Sequence, residues 1–306
     1  MWVQGGVGRA RTFGPLRRGG RALESLAMAS DDSQRREDSD KVRGGPGDPY
    51  ARVDYRRMIA WQQRIAREGP LLLELLDTAP DRSLLDLGCG TGEHVAFFAE
   101  QGARAVGLDS SASMIDAARE HELAGHGRFV LGDALRADHV LGDEAPFGMA
   151  LCLGNVLPHL TDDEQLDQWI TALHQVLLPG GLALVQLLNY WRLLEGGQRY
   201  LPLNFRSAPK GEPDSDRSEI VFLRLMRDEG DGRVLFFPTT LQLDPDADEP
   251  VRVVSTRRVP LRAWLEADLH ERLEAAGFTV EFYGDMTRGP FEPSASQDLV
   301  FVARRD

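Results

Sequence analysis

From residue 84 onward, short apolar runs alternate with longer segments whose apolar positions recur every three or four residues. The runs cover residues 84–87, 104–108, 128–131, 147–153 and 182–188 and are nearly all apolar. Strands that are apolar on both faces belong to a parallel sheet covered on both sides by helices. Ahead of the first run, Met58, Trp61, Ile65, Leu72, Leu75 and Leu76 fall at helical spacing within residues 50–78. Gly69-Pro70 predicts a division of that segment into two helices. Ser110 and Ser113 are N-cap candidates for the helix carrying Met114, Ile115 and Ala118. Thr161 to Glu164 has capping-box chemistry. The helix it opens runs through Trp169, Leu173 and Val176 to a turn at Pro179-Gly180-Gly181.

The alternation stops near Asn189. Residues 196–255 are rich in Gly, Pro, Asp and Arg and hold three strand-like runs, at 219–226, 234–243 and 251–257. Glu229-Gly230-Asp231-Gly232 joins the first two and predicts a hairpin. Its apolar residues Val221, Leu223, Leu235 and Phe237 require a covering surface. An amphipathic helix is expected over 261–276, stopped by Gly277, followed by strands at 278–283 and 297–303. The fold expected is α/β: a mostly parallel seven-stranded sheet, with a small antiparallel β insertion after strand five. Its parts are a disordered tail (1–48), a core (49–195), a lid-like insertion (196–257) and a completion of the core (258–306).

Composition narrows the function classes. The chain has 306 residues and a formal net charge of −13. That argues against binding nucleic acid or an anionic membrane, which need a positive field. A small-molecule substrate and a possible homo-oligomer remain. Cys89 and Cys152 lack histidines at ligand spacing, so no metal site is expected. No apolar stretch reaches membrane-spanning length, and a cytoplasmic location is expected. The first residues are arginine-rich with no acid before Glu24, a transit-peptide composition, and Met28 offers an alternative start.

The chemistry gathers around residues 83–94, SLLDLGCGTGEH. An apolar strand leads into Gly88, Gly90 and Gly92, where the backbone can turn sharply and approach a ligand. The spacing is G-x-G-x-G, with Glu93 where a dinucleotide fingerprint would carry its third glycine, and Asp86 precedes it on the strand. In such a sheet, ligands bind beyond the carboxyl ends of the strands. The residues standing there are Gly88 to Gly92, Asp109, Asp133 and Ala134, then Leu153, Gly154 and Asn155. Asp109 lies about twenty residues past the glycines, where a carboxylate suits a ribose diol. Asp133 can accept from an adenine amino group, and Met114 and Leu135 could cover the purine faces. Taken singly, Asp109 and Asp133 fit turns before helices equally well.

The segments LLDLGCGTG, GLDSSASMIDAA, FVLGDAL and LCLGNVLPHL resemble successive motifs of the class I S-adenosylmethionine (SAM) methyltransferases, a Rossmann-like fold. CLGNVLPHL, the Asn189-Tyr190 pair and the insertion resemble the glycine N-methyltransferase group of small-molecule enzymes. The resemblance implies SAM as cofactor and metal-independent transfer of a methyl group to nitrogen or oxygen. It implies that Arg64 pairs with the SAM carboxylate. Gly88 would contact the methionine part, Asp109 the ribose, Asp133 and Ala134 the adenine, and Leu153 would offer a backbone contact. Asp86, Gly90, Gly92, Met114 and Asn155 complete the expected cofactor site. Arg64 has a second reading, a solvated helix face beside Glu68. One departure matters: the group's substrate-carboxylate arginine is here Leu188, and Trp191 replaces an acid after Tyr190, so glycine does not fit as the acceptor. His159, Tyr190 and Tyr55 are the candidates for orienting or deprotonating an acceptor. A non-catalytic SAM-binding regulator and a nicotinamide-dependent oxidoreductase are the competing readings. An acceptor cavity carrying an arginine would indicate an acidic substrate; one lined by Trp191, Phe205 and Phe222 would indicate a hydrophobic one.

Overall fold

In the computed structural model, β1 (Ser83–Leu87) is buried along its whole length inside a seven-stranded sheet, between β4 (Phe147–Cys152) and β2 (Arg104–Asp109). The structure describes residue 56, residues 59–207 and residues 219–306. The tail expected over 1–48 and the candidate Tyr55 lie outside the described residues. Before β1 runs α1 (Trp61–Thr78). After it come α2 (Glu93–Glu100), β2 (Arg104–Asp109), α3 (Ala112–Leu123), β3 (Arg128–Leu131), α4 (Ala137–Leu141), β4 (Phe147–Cys152), α5 (Asp163–Val176) and β5 (Leu177–Leu188). A short α6 (Trp191–Leu194) leads to five further strands: β6 (Asn204–Ser207), β7 (Glu219–Gly230), β8 (Arg233–Leu243), β9 (Val251–Thr256) and β10 (Val259–Arg262). The chain ends with α7 (Glu266–Ala275), β11 (Phe278–Tyr283) and β12 (Asp298–Arg305).

The large sheet has the order β11-β12-β5-β4-β1-β2-β3, and only β12 runs against the rest. This is the mostly parallel seven-stranded sheet that the apolar runs predict. Its two faces carry separate cores. Leu84, Met149 and Leu184 pack under α1 and α2 with Leu72, Leu76, Val95 and Phe98. Leu85, Leu87 and Val185 pack on the opposite side with Trp169 and Leu173 of α5 and Leu269 and Leu273 of α7. β6 to β10 form the second sheet, antiparallel throughout. No helix among the described residues is long and apolar enough to cross a membrane.

Several local expectations are corrected. Pro70 lies inside α1, which is not divided. The buried stripe Leu71, Leu72, Leu75 and Leu76 holds the second half in line with the first, outweighing the one lost backbone bond. Ser111, not Ser110 or Ser113, caps α3, its hydroxyl accepting from the Met114 amide. Asp162 caps α5 by accepting from the Gln165 amide, so the cap sits one residue beyond Thr161. Pro179-Gly180-Gly181 is part of β5 rather than a turn before it. The helix expected over 261–276 is shorter, because residues 259–262 pair with β8 as β10. β6 and α6 were not expected.

The expected hairpin is present, with Asp231 and Gly232 at φ 54° and 70° between the paired Gly230 and Arg233. Positive φ at both central residues matches the twist of the flanking strands. This turn fixes the register, and the register fixes which face looks inward. Met226, Val234 and Leu261 join the main core, with Phe236 and Val259 packed against it. Of the residues expected to need a covering surface, all on the alternate face, Val221 is buried and Leu223, Leu235 and Phe237 are half-buried.

Candidate functional site

The glycine turn follows β1 directly. Gly88, Gly90 and Gly92 have φ of 78°, 55° and 90°, a region that side chains with a Cβ rarely adopt. Space restricts two of them as well. A Cβ on Gly88 would stand 2.7 Å from Val156 Cγ1, and one on Gly92 would stand 2.6 Å from the Phe129 ring. Asp109, at the carboxyl end of β2, ties this turn to α3. Its Oδ2 accepts from the Gly90 amide at 2.9 Å and its Oδ1 from the Ser111 amide at 2.8 Å.

A cavity of about 430 Å³ opens over the carboxyl ends of the central strands. Of the residues expected at a cofactor site, Arg64, Asp86, Gly88, Gly90, Asp109, Met114, Asp133, Ala134, Leu153 and Asn155 line it. Gly92 does not; it faces the packing of Phe129 and Ala118 instead. Asp133 also keeps a turn, its Oδ1 accepting from the Leu135 amide at 3.0 Å.

One wall of the cavity is a cluster of buried charge. Asp86 points from β1 into the domain, is 2% exposed, and its Oδ2 has no hydrogen-bond partner among the described residues. Burial pushes its pKa up to about 6, against the pull of His94 and Arg64. Glu68, on α1, is 3% exposed. It accepts from Arg64 Nε at 3.0 and 3.1 Å, from Arg67 Nη2 at 3.3 Å, and stands 3.1 Å from His94 Nε2. Burial alone would raise its pKa; the hydrogen bond to His94 and the charge of Arg64 outweigh it and hold the carboxyl below its usual value. Arg64 is therefore not on a solvated face. Its Nε is committed to Glu68, its guanidinium stacks over Trp61 at 5.2 Å, and Nη1 is the side-chain atom that a Cβ on Gly154 would meet, at 3.7 Å. Trp61 in turn meets the His94 ring edge-on at 5.5 Å.

The far end of the cavity holds the acceptor-side candidates. His159 closes a 3₁₀ turn (Leu157–His159) after β4 and lines the cavity. It is exposed to solvent on its outer side, while the protein packed around its other side and the positive charge of Arg257 lower its pKa. Tyr190 is elsewhere: it is buried in the main core, and its hydroxyl meets Asn155 Nδ2 at 3.0 Å. Burial raises its pKa well above the phenol value, so it is not poised to take a proton. Asn155, at φ 68°, also accepts from the Leu188 amide at 2.9 Å, so its side chain joins the ends of β4 and β5. Asn189 anchors the approach to β12, its Nδ2 donating to the carbonyls of Pro293 and Ser296 at 2.8 and 2.9 Å. The Asn189-Tyr190 pair thus holds the scaffold together. Trp191, Phe205 and Phe222 do not line the cavity; Arg257 and Val259 of the second sheet do.

Sequence reasoning missed Glu68 as a partner of the site, along with His94, Trp61 and Arg257. The i,i+4 spacing of Arg64 and Glu68 and the position of His94 just after the glycines were the available signals. Nothing in the sequence marks Arg257 out from Arg258.

Residues 84–181 match the family model of the methyltransferase domain. A glycine/sarcosine N-methyltransferase of Parasynechococcus marenigrum is 32% identical over 143 residues, covering 46% of this chain and 50% of that protein. A malonyl-[acyl-carrier protein] O-methyltransferase of Serratia marcescens is 33% identical over 132 residues, covering 43% and 48%. The chain thus spans about half the length of these curated relatives. The CcbJ methyltransferase of Streptomyces caelestis shares the fold, with a TM-score of 0.61 at 24% identity over 79% of this chain and 95% of that one.

Proposed function

We propose that this chain, which carries a class I SAM-dependent methyltransferase domain, transfers a methyl group to a nitrogen or oxygen of a small molecule. The observation that carries the reading is one continuous cavity with a different chemistry at each end. One end offers a guanidinium, a buried carboxylate with an orphan oxygen, and two further acids at strand ends. The other offers a histidine with a lowered pKa. The first set fits the donor: Arg64 suits its carboxylate, Asp86 its ammonium, Asp109 its ribose hydroxyls, and Asp133 with Met114 its adenine.

SAM supplies a methyl group already activated by its sulfonium. The protein's part is to align, to exclude water and to manage one proton. Arg64, held by Glu68 and Trp61, fixes one end of the donor. Val259 and Arg257 line the acceptor end. His159, neutral at neutral pH because its pKa is lowered, takes the proton that the acceptor sheds. Bound SAM would be held by Arg64, Asp86, Asp109 and Asp133 so that its activated methyl group faces an acceptor placed at the His159 end of the cavity.

Transfer of labelled methyl from SAM to a small-molecule extract tests the activity. The donor assignment has its own test. Asp109→Ala should weaken SAM binding by about 1.5–3 kcal/mol, the range for hydrogen bonds to a charged group. Part of that loss comes from freeing the Gly90 amide, which Asp109 now holds. Calorimetry giving equal affinity for variant and parent would remove Asp109 from the site.

A further inference from the structure

Strand β9 lies at one edge of the second sheet. It pairs with β8, and among the described residues no strand pairs with its other side. The opposite edge is covered. There residues 199–201 run beside β7, the Leu201 amide donating to the Arg224 carbonyl at 3.1 Å and the Met226 amide to the Arg199 carbonyl at 2.8 Å. β9 also presents apolar side chains to solvent: Val251 and Val253 are 58% exposed and Val254 53%. Val254 is the extra residue of a bulge, standing between Val253, paired with Leu241, and Ser255, paired with Thr240. Arg252 does not guard the edge, because its Nη2 donates to Gln242 Oε1 on β8 at 2.5 Å. An open, β-branched edge of this kind is a template for another strand. The flanks of β9 carry opposite charge. Asp248 and Glu249 precede it, in a loop closed by the Asp244 amide on the Pro250 carbonyl at 2.8 Å. Arg258 follows it, next to the Arg257 amide that the Pro238 carbonyl holds at 3.2 Å. Asp248, Glu249 and Arg258 are exposed, and Arg258 acts on Glu229 by charge alone.

We propose that β9 is the seat of a second copy of this chain, the two β9 strands pairing antiparallel across a two-fold axis and joining the second sheets of both copies. The inference stands apart from the methyl-transfer reading. Its argument is charge complementarity. Two copies that each carry a net charge of −13 repel one another, so a contact between them needs local attraction. Antiparallel pairing of a strand with itself supplies it, because the start of one strand meets the end of the other. Asp248 stands five residues before Val253 and Arg258 five residues after it. With Val253 facing its own copy on the axis, Asp248 of each chain comes opposite Arg258 of the other, and the exposed valines meet between these pairs. Such a contact is self-complementary and closes at two copies. It also reaches the cavity: β9 runs straight into the link that brings Arg257 and Val259 to the acceptor end, so a second copy braces that wall from outside.

Sedimentation equilibrium of the full chain over a concentration series tests this. The parent should show a reversible dimer that weakens as salt rises, since exposed charge pairs are screened. Val253→Lys places like charges face to face on the axis and should raise the dimer dissociation constant about a hundredfold. Its melting temperature as a monomer should match the parent's, because the side chain it replaces is exposed. Asp248→Arg and Arg258→Asp, made singly, should each weaken the dimer about tenfold. The double swap, Asp248→Arg with Arg258→Asp, should restore it, because each charge again meets its opposite. That restoration is specific to β9 meeting β9; a dimer built on any other surface would not give it. A parent that stays monomeric throughout would overturn the inference, whatever else covers this edge. So would a dimer indifferent to Val253→Lys, or a double swap no tighter than the single variants.

Discussion

His159→Gln should lower kcat by about 10²–10⁴-fold, the usual contribution of a positioned general base, with SAM affinity unchanged. The ring lines the acceptor end of the cavity, and among the described residues none hydrogen-bonds it. The lowered pKa sets the sign of the pH dependence. A neutral imidazole is the form that accepts a proton. Activity should be full above the His159 pKa and fall as pH drops through it, at a pH below the ordinary histidine value of about 6.5. Glutamine keeps a similar size and polarity but cannot take the proton, so the variant should lose this acid limb along with its rate. A variant with parental kcat and an unchanged profile would show that His159 only shapes the cavity wall.

The second large effect concerns stability. Glu68→Ala should destabilise the protein by about 3–5 kcal/mol, because it strands Arg64 and His94 beside a carboxylate that is gone. For a domain of this size that is a fall in Tm of about 10 °C. SAM affinity should fall as well, since Arg64 loses the bond that orients it. The pH dependence follows from the depressed pKa of Glu68. A carboxyl that ionises more readily when folded contributes stability above its unfolded pKa, about 4.3. That contribution is lost as pH falls through the lower, folded value, so the parent's Tm advantage over Glu68→Ala should shrink on the acid side. Thermal melts of both proteins across that window measure it. A shift of less than about 2 °C at neutral pH would mean that the cluster is structurally neutral.

The large sheet was legible because nearly all-apolar runs alternate with amphipathic helical segments, the pattern of a parallel sheet covered on both faces. The donor end was legible for a related reason. Once the strands are placed, Asp86, Asp109 and Asp133 must stand on β1 and at the ends of β2 and β3. The cluster around Glu68 was not legible, because its closing contact joins Glu68 to His94 across 26 residues and depends on how α1 lies over α2. The caps were missed by one residue because serines and acids stand side by side. Which one caps is settled by the next bond along, as when Asp109 takes the Ser111 amide. The second sheet was misread by one step. In β7 and β8 both rows are apolar: Met226, Val234 and Phe236 in one, Leu225, Leu235 and Phe237 in the other. Period-2 patterning cannot choose between two apolar rows; the two-residue turn at Asp231-Gly232 does.

That second sheet also bears on how such a protein could change over generations. The donor-side residues named above lie between Trp61 and Asn155, whereas Arg257 and Val259 come from the stretch that leaves the first sheet after β5 and returns before α7. Point changes in the second stretch can alter the acceptor wall without touching a donor contact. The inward row of Met226, Val234 and Leu261 sets the limit on that freedom, since those side chains belong to the common core. A library confined to positions 255–260, with that row left alone, is therefore the smallest search that could move this scaffold to a new acceptor while retaining its donor.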